Sequence, residues 1–208
     1  MLRIVCILIG YAIGCVQTAY LVGKARGVDI RKEGSGNLGF TNTLRVLGKK
    51  AGLTVFFIDM GKAIGAFFLC KALFGGSIVL AFYGGAGVVL GHDFPFYLHF
   101  KGGKGILASI GTVVAIGMAG YWPATLIAGA IGIPPVATGY VSVGSLCFCA
   151  SFPFALLASG APTEVVWVGA GLSALAVWKH RENIRRLCNG TENNFHKNKK
   201  KKKEDQSK

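Results

Sequence analysis

GILASIGTVVAIGMAGYWPATLIAGAIGIPPVATGYVSVGSLCFCASFPFALLASGAPT, residues 105–163, runs without a single Asp, Glu, Lys, Arg or His. One helical crossing of a bilayer takes about 20 mostly apolar residues, so this run is long enough for more than one. It sets the class. With no water in the hydrocarbon layer, every backbone N–H and C=O must be bonded within the segment, and helices are the solution for apolar runs of this length. The expected fold is an all-α integral membrane protein. Composition agrees, with 52% hydrophobic residues among 208 and a mean hydropathy of +0.50.

Outward from that run, the charges collect in three places. Segments 24–50, 92–104 and 179–208 hold 7, 2 and 11 Lys or Arg residues, 20 of the 23 in the chain. The positive-inside rule puts all three in the cytoplasm, with the N-terminus outside and the C-terminus inside. Parity then requires two crossings between 51 and 91 and an even number between 105 and 178. About seven transmembrane helices follow, over 4–23, 52–70, 76–90, 105–122, 124–138, 140–159 and 165–178. The third, fifth and seventh are short and Pro134–Pro135 interrupts the fifth, so five or six crossings is the competing count. Arg3 before an apolar run also fits a secretory leader. The length of the run, the lack of a small-residue cleavage site and its direct lead into a glycine-rich motif favour a span.

Within the spans, Asp59 and Lys62 are three residues apart and share a helix face, where they are expected to form a structural ion pair. Gly10 with Gly14, Gly61 with Gly65, and Gly87 with Gly91 have the spacing that lets helices approach closely. The six cysteines lie mostly in apolar segments without spaced metal-ligand partners and read as packing residues.

Three motifs sit just outside the spans. In GSGNLGFTN, 34–42, Gly34, Gly36 and Gly39 permit positive φ angles that turn N–H groups toward an anion. Thr41 is placed to cap a short helix, with Arg45 one turn further on to fork onto a phosphate. In GHDFPFYLHFKGGKG, 91–105, Lys101 and Lys104 stand among Gly102, Gly103 and Gly105 at the start of the uncharged run. Lys104 there combines an ammonium group with a helix N-terminus, although the Walker A spacing is absent. His92 and His99, seven residues apart, match no zinc pattern, and no metal site is expected. In HRENIRRLCNGTE, 180–192, a continuing helix would put His180 and Asn183 on one face.

Taken together the motifs resemble those of the bacterial acyl-phosphate-dependent glycerol-3-phosphate acyltransferases, the PlsY family, from about Gly10 to Glu192. GSGNLGFTN resembles the family's GSGN(P/I)GATN, and HRENIRRLCNGTE its HxxNIxRLxxGxE. Leu38 and Phe40 depart from the usual Pro or Ile and Ala, and Gln17 stands where the first helix usually has proline.

The resemblance implies acyl transfer from a fatty acyl phosphate to the 1-hydroxyl of glycerol 3-phosphate, giving lysophosphatidic acid and phosphate in phospholipid synthesis at the bacterial inner membrane, with the site facing the cytoplasm. It implies no cofactor. It makes Ser35, His180 and Asn183 the catalytic residues. Gly34, Gly36, Asn37, Arg45, Gly102, Gly103, Lys104 and Gly105 become the substrate-binding set. His180 or a substrate phosphate takes the hydroxyl proton, Ser35 is the alternative covalent nucleophile, and Glu192 organises its motif.

The competing function is transport of a phosphorylated metabolite, since apolar spans around a basic site suit that too. Residues 1–192 form the expected membrane domain and 193–208 a polybasic cytoplasmic tail. From Lys197 to Lys208 the tail holds seven lysines and two acids. It suits solvent or anionic lipid, and no aromatic side chains interleave those lysines for nucleic-acid binding.

Overall fold

The computed structural model describes residues 1–195, and these are helical apart from turns and connecting loops. The lysine-rich part of the expected tail lies outside the described residues. Residues 193–195 still pack on the body: Asn194 is buried and its Nδ2 donates to the Thr138 carbonyl at 3.0 Å, while the Phe195 amide donates to Gly139 O at 3.0 Å.

The first expected span is two helices, α1 (Leu2–Gly14) and α2 (Thr18–Lys24), with a break at Cys15–Gln17. Lys62 fills the break. Its Nζ donates to Gly14 O at 3.2 Å and Val16 O at 2.9 Å, a cation on the carbonyl end of a helix, and it pairs with Asp59 at 2.9 Å as the sequence suggests. Gln17, the departure from proline, is buried and uses its amide to donate to His92 O at 2.9 Å, tying this break to the end of a later helix.

Helix α3 (Phe40–Leu73) bends at Gly48, whose φ of 82° ends a first short segment. That segment folds back so that a β-carbon on Gly52 would meet Leu44 Cβ at 2.9 Å. The expected short helix is therefore present, but its N-cap is Gly39 rather than Thr41, and Gly39 is extended (φ −159°) rather than left-handed. Helix α4 (Ile78–Asp93) is packed face to face on α1. A β-carbon on Gly10 would lie 2.0 Å from Gly84 O, and one on Gly87 2.3 Å from Ile7 O, so the two backbones touch. Gly61 and Gly65, by contrast, have nothing within 4 Å and make no such contact.

The uncharged run divides as spans 105–122, 124–138 and 140–159 were expected to, but its first two arms are shorter than a crossing. Helix α5 (Ile106–Ile116) ends in a π-helical turn at Gly117–Tyr121, with Gly120 at φ 115°, and α6 (Trp122–Gly132) follows. Thr125 Oγ1 donates to Val113 O at 2.9 Å. Residues twelve apart on a straight helix would be separated by about 18 Å, so the chain reverses here. Eleven residues of helix rise only about 16 Å, so spans 105–122 and 124–138 become a short folded-back pair. A 3₁₀ turn at Pro134–Thr138 leads to α7 (Val141–Ala158), then α8 (Thr163–Lys179) and α9 (Arg181–Cys188).

Among the described residues five stretches suit a membrane by length and composition: Leu2–Lys24, Phe40–Leu73, Ile78–Leu98, Ile106–Thr138 and Val141–Ala158. The fourth contains the reversal. Exposed Leu8, Phe57, Leu126, Phe154 and Trp167 give the bundle an apolar exterior, as a multi-pass membrane protein requires.

Candidate active site

The three motifs meet at one end of the bundle, around a cavity of about 1160 Å³. In the first motif, Asn42 does the folding. Its Oδ1 accepts from the Ser35 amide at 2.8 Å, and its Nδ2 donates to Ile30 O at 3.2 Å and Glu33 O at 3.0 Å, which closes the loop ahead of α3. Gly34 and Gly36 take φ of 61° and 70°. Ser35, Gly36 and Asn37 line the cavity, and half-buried Arg45 reaches it from the short segment before Gly48. Gly34 does not line the cavity; its missing side chain makes room for Asn42, whose Oδ1 would lie 2.4 Å from a β-carbon there.

The second motif is a loop folded onto the end of α4. Gly102 N–H donates to Asp93 O at 3.2 Å and Gly103 N–H to His92 O at 3.0 Å. Those two amides are therefore spent on the protein, and the space beside them is filled too. A β-carbon on Gly103 would lie 2.1 Å from His92 Nε2 and 2.7 Å from Leu38 O, which also fixes the second motif against the first. Gly105, at φ 66°, is the N-cap of α5 and has no side-chain cap. That leaves the α5 N-terminus and Lys104 as the cationic corner. Burial and repulsion from Arg186, partly offset by Glu192, bring the Lys104 ammonium down to about 8.

In the third motif the helix does not continue through His180. His180 stands at the junction of α8 and α9, so His180 and Asn183 are the N-cap and the third helical residue of α9. Both are buried. His180 Nδ1 lies 2.7 Å from Ala176 O, which a neutral imidazole can meet only by carrying its proton on Nδ1. Nε2 then keeps its lone pair. Burial, helped by Lys104 and opposed by the Ala176 bond, lowers the His180 pKa to about 4, so the ring is neutral at physiological pH.

Asn183 joins the second and third motifs. Its Oδ1 accepts from Lys104 Nζ, and its Nδ2 donates to Glu192 Oε1 at 2.7 Å; Arg186 Nε donates to Glu192 Oε2 at 2.7 Å. Glu192 comes back to Asn183 because the chain turns after α9, and it organises the motif as expected. Burial alone would raise its pKa, but the bonds from Arg186 and Asn183 prevail and lower it.

Three participants escaped the candidate set drawn from sequence. Asn42 sits inside the first motif and its amide was the available signal. Lys179 donates to Asp93 O at 3.0 Å while lying 4.5 Å from the centre of the Phe94 ring. Phe195 faces the Arg45 guanidinium at 5.7 Å and no pattern announced it. His92 and His99 separate: His92 is buried against the loop, and His99 is an exposed left-handed residue.

From this polar corner the cavity continues between apolar walls. It is lined by Ile106, Ile110 and Val114 of α5, Leu126 and Gly129 of α6, Ile133 at the end of α6, and Phe148 of α7. The polar corner and the apolar slot are thus parts of one cavity.

The family model described as glycerol-3-phosphate acyltransferase matches residues 4–190. A glycerol-3-phosphate acyltransferase of Rubrobacter xylanophilus is 39% identical over 201 residues, covering 94% of this chain and 96% of that protein. One from a Thermoanaerobacter species is 42% identical over 188 residues, covering 89% and 91%. The crystal structure of PlsY, an integral membrane glycerol 3-phosphate acyltransferase, in its glycerol 3-phosphate form matches with a TM-score of 0.84 and 33% identity, covering 93% of this chain and 95% of that one. Its lysophosphatidic acid form matches with a TM-score of 0.82 and 32% identity, with the same coverage.

Proposed function

The chain belongs to the glycerol-3-phosphate acyltransferase family, and from that premise we propose how its site works and which donor it uses. The enzyme transfers an acyl group to glycerol 3-phosphate and yields lysophosphatidic acid. The donor is a fatty acyl phosphate. The observation that carries this is one continuous cavity, cationic where the three motifs meet and apolar between α5, α6 and α7. An acyl phosphate has that same division, an anionic head on a hydrocarbon chain. Joining an apolar slot to the cationic corner suits acyl transfer, whereas carriage of a phosphorylated metabolite alone has no use for the slot.

In this reading the glycerol 3-phosphate hydroxyl attacks the acyl carbonyl carbon, the bond from that carbon to the bridging phosphate oxygen breaks, and inorganic phosphate leaves with that oxygen. Arg45, Lys104 and the α5 N-terminus hold phosphate, Gly102, Gly103 and Gly105 shape the loop that presents them, and Ser35, Gly36 and Asn37 line the opposite wall. Asn183 fixes Lys104 in place through its amide oxygen. His180 Nε2 accepts the hydroxyl's hydrogen bond and orients it. An imidazole held near 4 does not keep a second proton at neutral pH, so the hydroxyl proton passes on to a phosphate oxygen. Among the described residues Ser35 is bonded through its amide to Asn42 and no base is bonded to its hydroxyl, which supports direct transfer over a covalent route.

The three basic motif regions gather at one end, which supports placing that end in the cytoplasm of a bacterial inner membrane, with the N-terminus outside. On that placement the α5–α6 pair leaves and returns to the same side, and counting each arm gives seven helices. Residues 1–192 are the catalytic body, with the polybasic tail following.

The test uses the purified full chain in detergent with glycerol 3-phosphate and, in parallel, acyl phosphate or acyl coenzyme A. Lysophosphatidic acid and stoichiometric phosphate from the first alone are expected. Product from acyl coenzyme A alone would overturn the donor assignment while leaving acyl transfer intact.

A further inference from the structure

Behind the glycine loop lies a buried polar network that no step above has used. Asp59 Oδ1 accepts from Thr18 Oγ1 at 3.0 Å and faces Lys62 Nζ at 2.9 Å. Lys62 Nζ in turn lies 3.1 Å from His92 Nδ1, besides holding Gly14 O and Val16 O. The three side chains are drawn from two helices and all are buried or nearly so, with Asp59 1% and His92 5% exposed. Burying charge costs several kcal/mol per ion after relaxation, roughly, and apolar residues could have filled the same volume. The cluster needs a reason.

The geometry fixes the tautomer of His92. An ammonium nitrogen has three donors and no lone pair, shared here among Gly14 O, Val16 O, Asp59 Oδ1 and His92 Nδ1, so at 3.1 Å the facing Nδ1 turns its lone pair to the cation. A proton on Nδ1 would point at the cation instead, and Asp59 Oδ1 at 3.8 Å is too far to take it. The single ring proton of neutral His92 is therefore on Nε2. That atom occupies the space beside Gly103 left by the missing side chain, and His92 lines the cavity. The backbone of the same residue is fixed as well: His92 O accepts from both Gly103 N–H at 3.0 Å and Gln17 Nε2 at 2.9 Å.

We infer that His92 is a further catalytic residue, its Nε2–H a neutral donor aimed at an anionic oxygen beside Gly103, with Lys62 and Asp59 as positioning residues that hold the ring in that tautomer. The ligand chemistry is a phosphate oxygen or the oxygen of the developing tetrahedral intermediate. The inference rests on the acyl transfer proposed above. It explains why Gly103 has no side chain: a β-carbon would displace the imidazole. It also reverses the usual part of a histidine in such a site, since His180 presents a lone pair and His92 a proton.

The experiment compares His92→Gln, His92→Asn and His92→Phe in the purified full chain, with the wild type assayed alongside for both substrates. A glutamine amide nitrogen can reach the position of Nε2, whereas an asparagine amide reaches only that of Nδ1. The Gln variant is expected to keep activity within about tenfold of wild type, and Asn and Phe to fall by about 10² to 10³, the range for loss of one preorganised donor. A rise confined to the KM for glycerol 3-phosphate, or to that for the donor, assigns the phosphate concerned. A fall in kcat with both KM values unchanged assigns the tetrahedral oxygen.

¹⁵N NMR of the His92 ring gives a readout that does not require turnover. The Nε2–H tautomer is expected in the wild type, and its loss in Lys62→Met. Equal activity in Gln and Asn variants, or an Nδ1–H ring in the wild type, overturns the assignment even if Phe fails to fold. An inactive wild type with an Nε2–H ring would fault the acyl transfer reading and not the tautomer.

Discussion

Where α1 meets α4 the two backbones touch, and where α5 folds back on α6 the helices stand apart around a cavity. The first interface is made by glycines whose absent β-carbons would strike carbonyl oxygens, at 2.0 Å for Gly10 and 2.3 Å for Gly87. Gly129 of α6 belongs to the second. A β-carbon on it would meet only Ile133 Cδ1, at 3.7 Å. The same residue type thus closes one interface and opens the other. Membrane helices gain little from burying apolar surface against each other, so close packing has to come from backbone contact where rigidity is wanted. Space has to be left where a lipid chain must enter. The reactive groups stand on the rigid side or on loops tied to it, and the slot is on the open side.

The largest expected effect breaks the rigid interface. In Gly87→Val the new side chain meets Ile7 O, Tyr11 N and Gly10 Cα, all backbone, so α1 and α4 must separate. A loss above about 4 kcal/mol is expected, enough to abolish recovery of folded protein. Gly129→Val, with the same propensity cost in the open wall, should be purified with a thermal midpoint within a few degrees of wild type. Equal destabilisation of the two would remove the distinction.

At the seam between the halves is Lys104, on the loop fixed to α4 and bonded to Asn183 of α9. Lys104→Ala should fold, because Asn183 keeps its bond to Glu192. Its kcat/KM for glycerol 3-phosphate is expected to fall by about 10² to 10³, the cost of one preorganised charge donor. Wild-type kinetics in the folded variant would take phosphate binding away from this lysine.

On the open side, Gly129→Leu should sharpen the contrast without harming the fold. The added side chain enters the slot and displaces the part of a long acyl chain lying beside α6. Each displaced methylene is worth about 0.8 kcal/mol, so preference between long and short donors should change by roughly tenfold or more toward the short. A series of acyl phosphates of increasing length reads this directly, and an unchanged length profile would move the acyl chain elsewhere.

The two halves differed in how much the sequence revealed. Gly10, Gly14, Gly87 and Gly91 announced the α1–α4 contact by spacing, because close approach leaves only glycine possible. The break at Cys15–Gln17 was hidden, since its cause is Lys62 from another helix and no local residue signals it. Hydropathy and charge parity divided the uncharged run into spans 105–122 and 124–138 and so implied a reversal between them, but not that it falls at Gly117–Tyr121 and leaves two short arms, for Gly117 and Gly120 look like any glycine in a span. In the site, Lys104, His180 and Asn183 were legible as motif members. The part played by Gly102 and Gly103 was not: glycines beside a lysine suggest room for a ligand, and here the room is taken by His92, eleven residues before Gly103. Asp59 and Lys62 were legible as a pair and illegible as a support, because their third partner comes from α4.

The smallest effect is a titration at the seam. Lys104 is held down to about 8 by burial first and by Arg186 second, with Glu192 pulling the other way. The ammonium form is the one that attracts phosphate, so binding competence is full well below pH 8 and declines as pH rises through it. The free enzyme's kcat/KM for glycerol 3-phosphate should therefore fall about twofold at pH 8 and about tenfold by pH 9. Saturating substrate should conceal most of this, since a bound phosphate anion favours the charged lysine and raises its pKa again. Glu192→Gln removes a carboxylate that supports the charge, and the decline should then begin at lower pH. His180 contributes no limb above pH 5, because its pKa of about 4 leaves it neutral throughout that range. A decline that stays in place in Glu192→Gln would show that another group titrates, and would move the cationic corner away from the point where the loop on α4 meets α9.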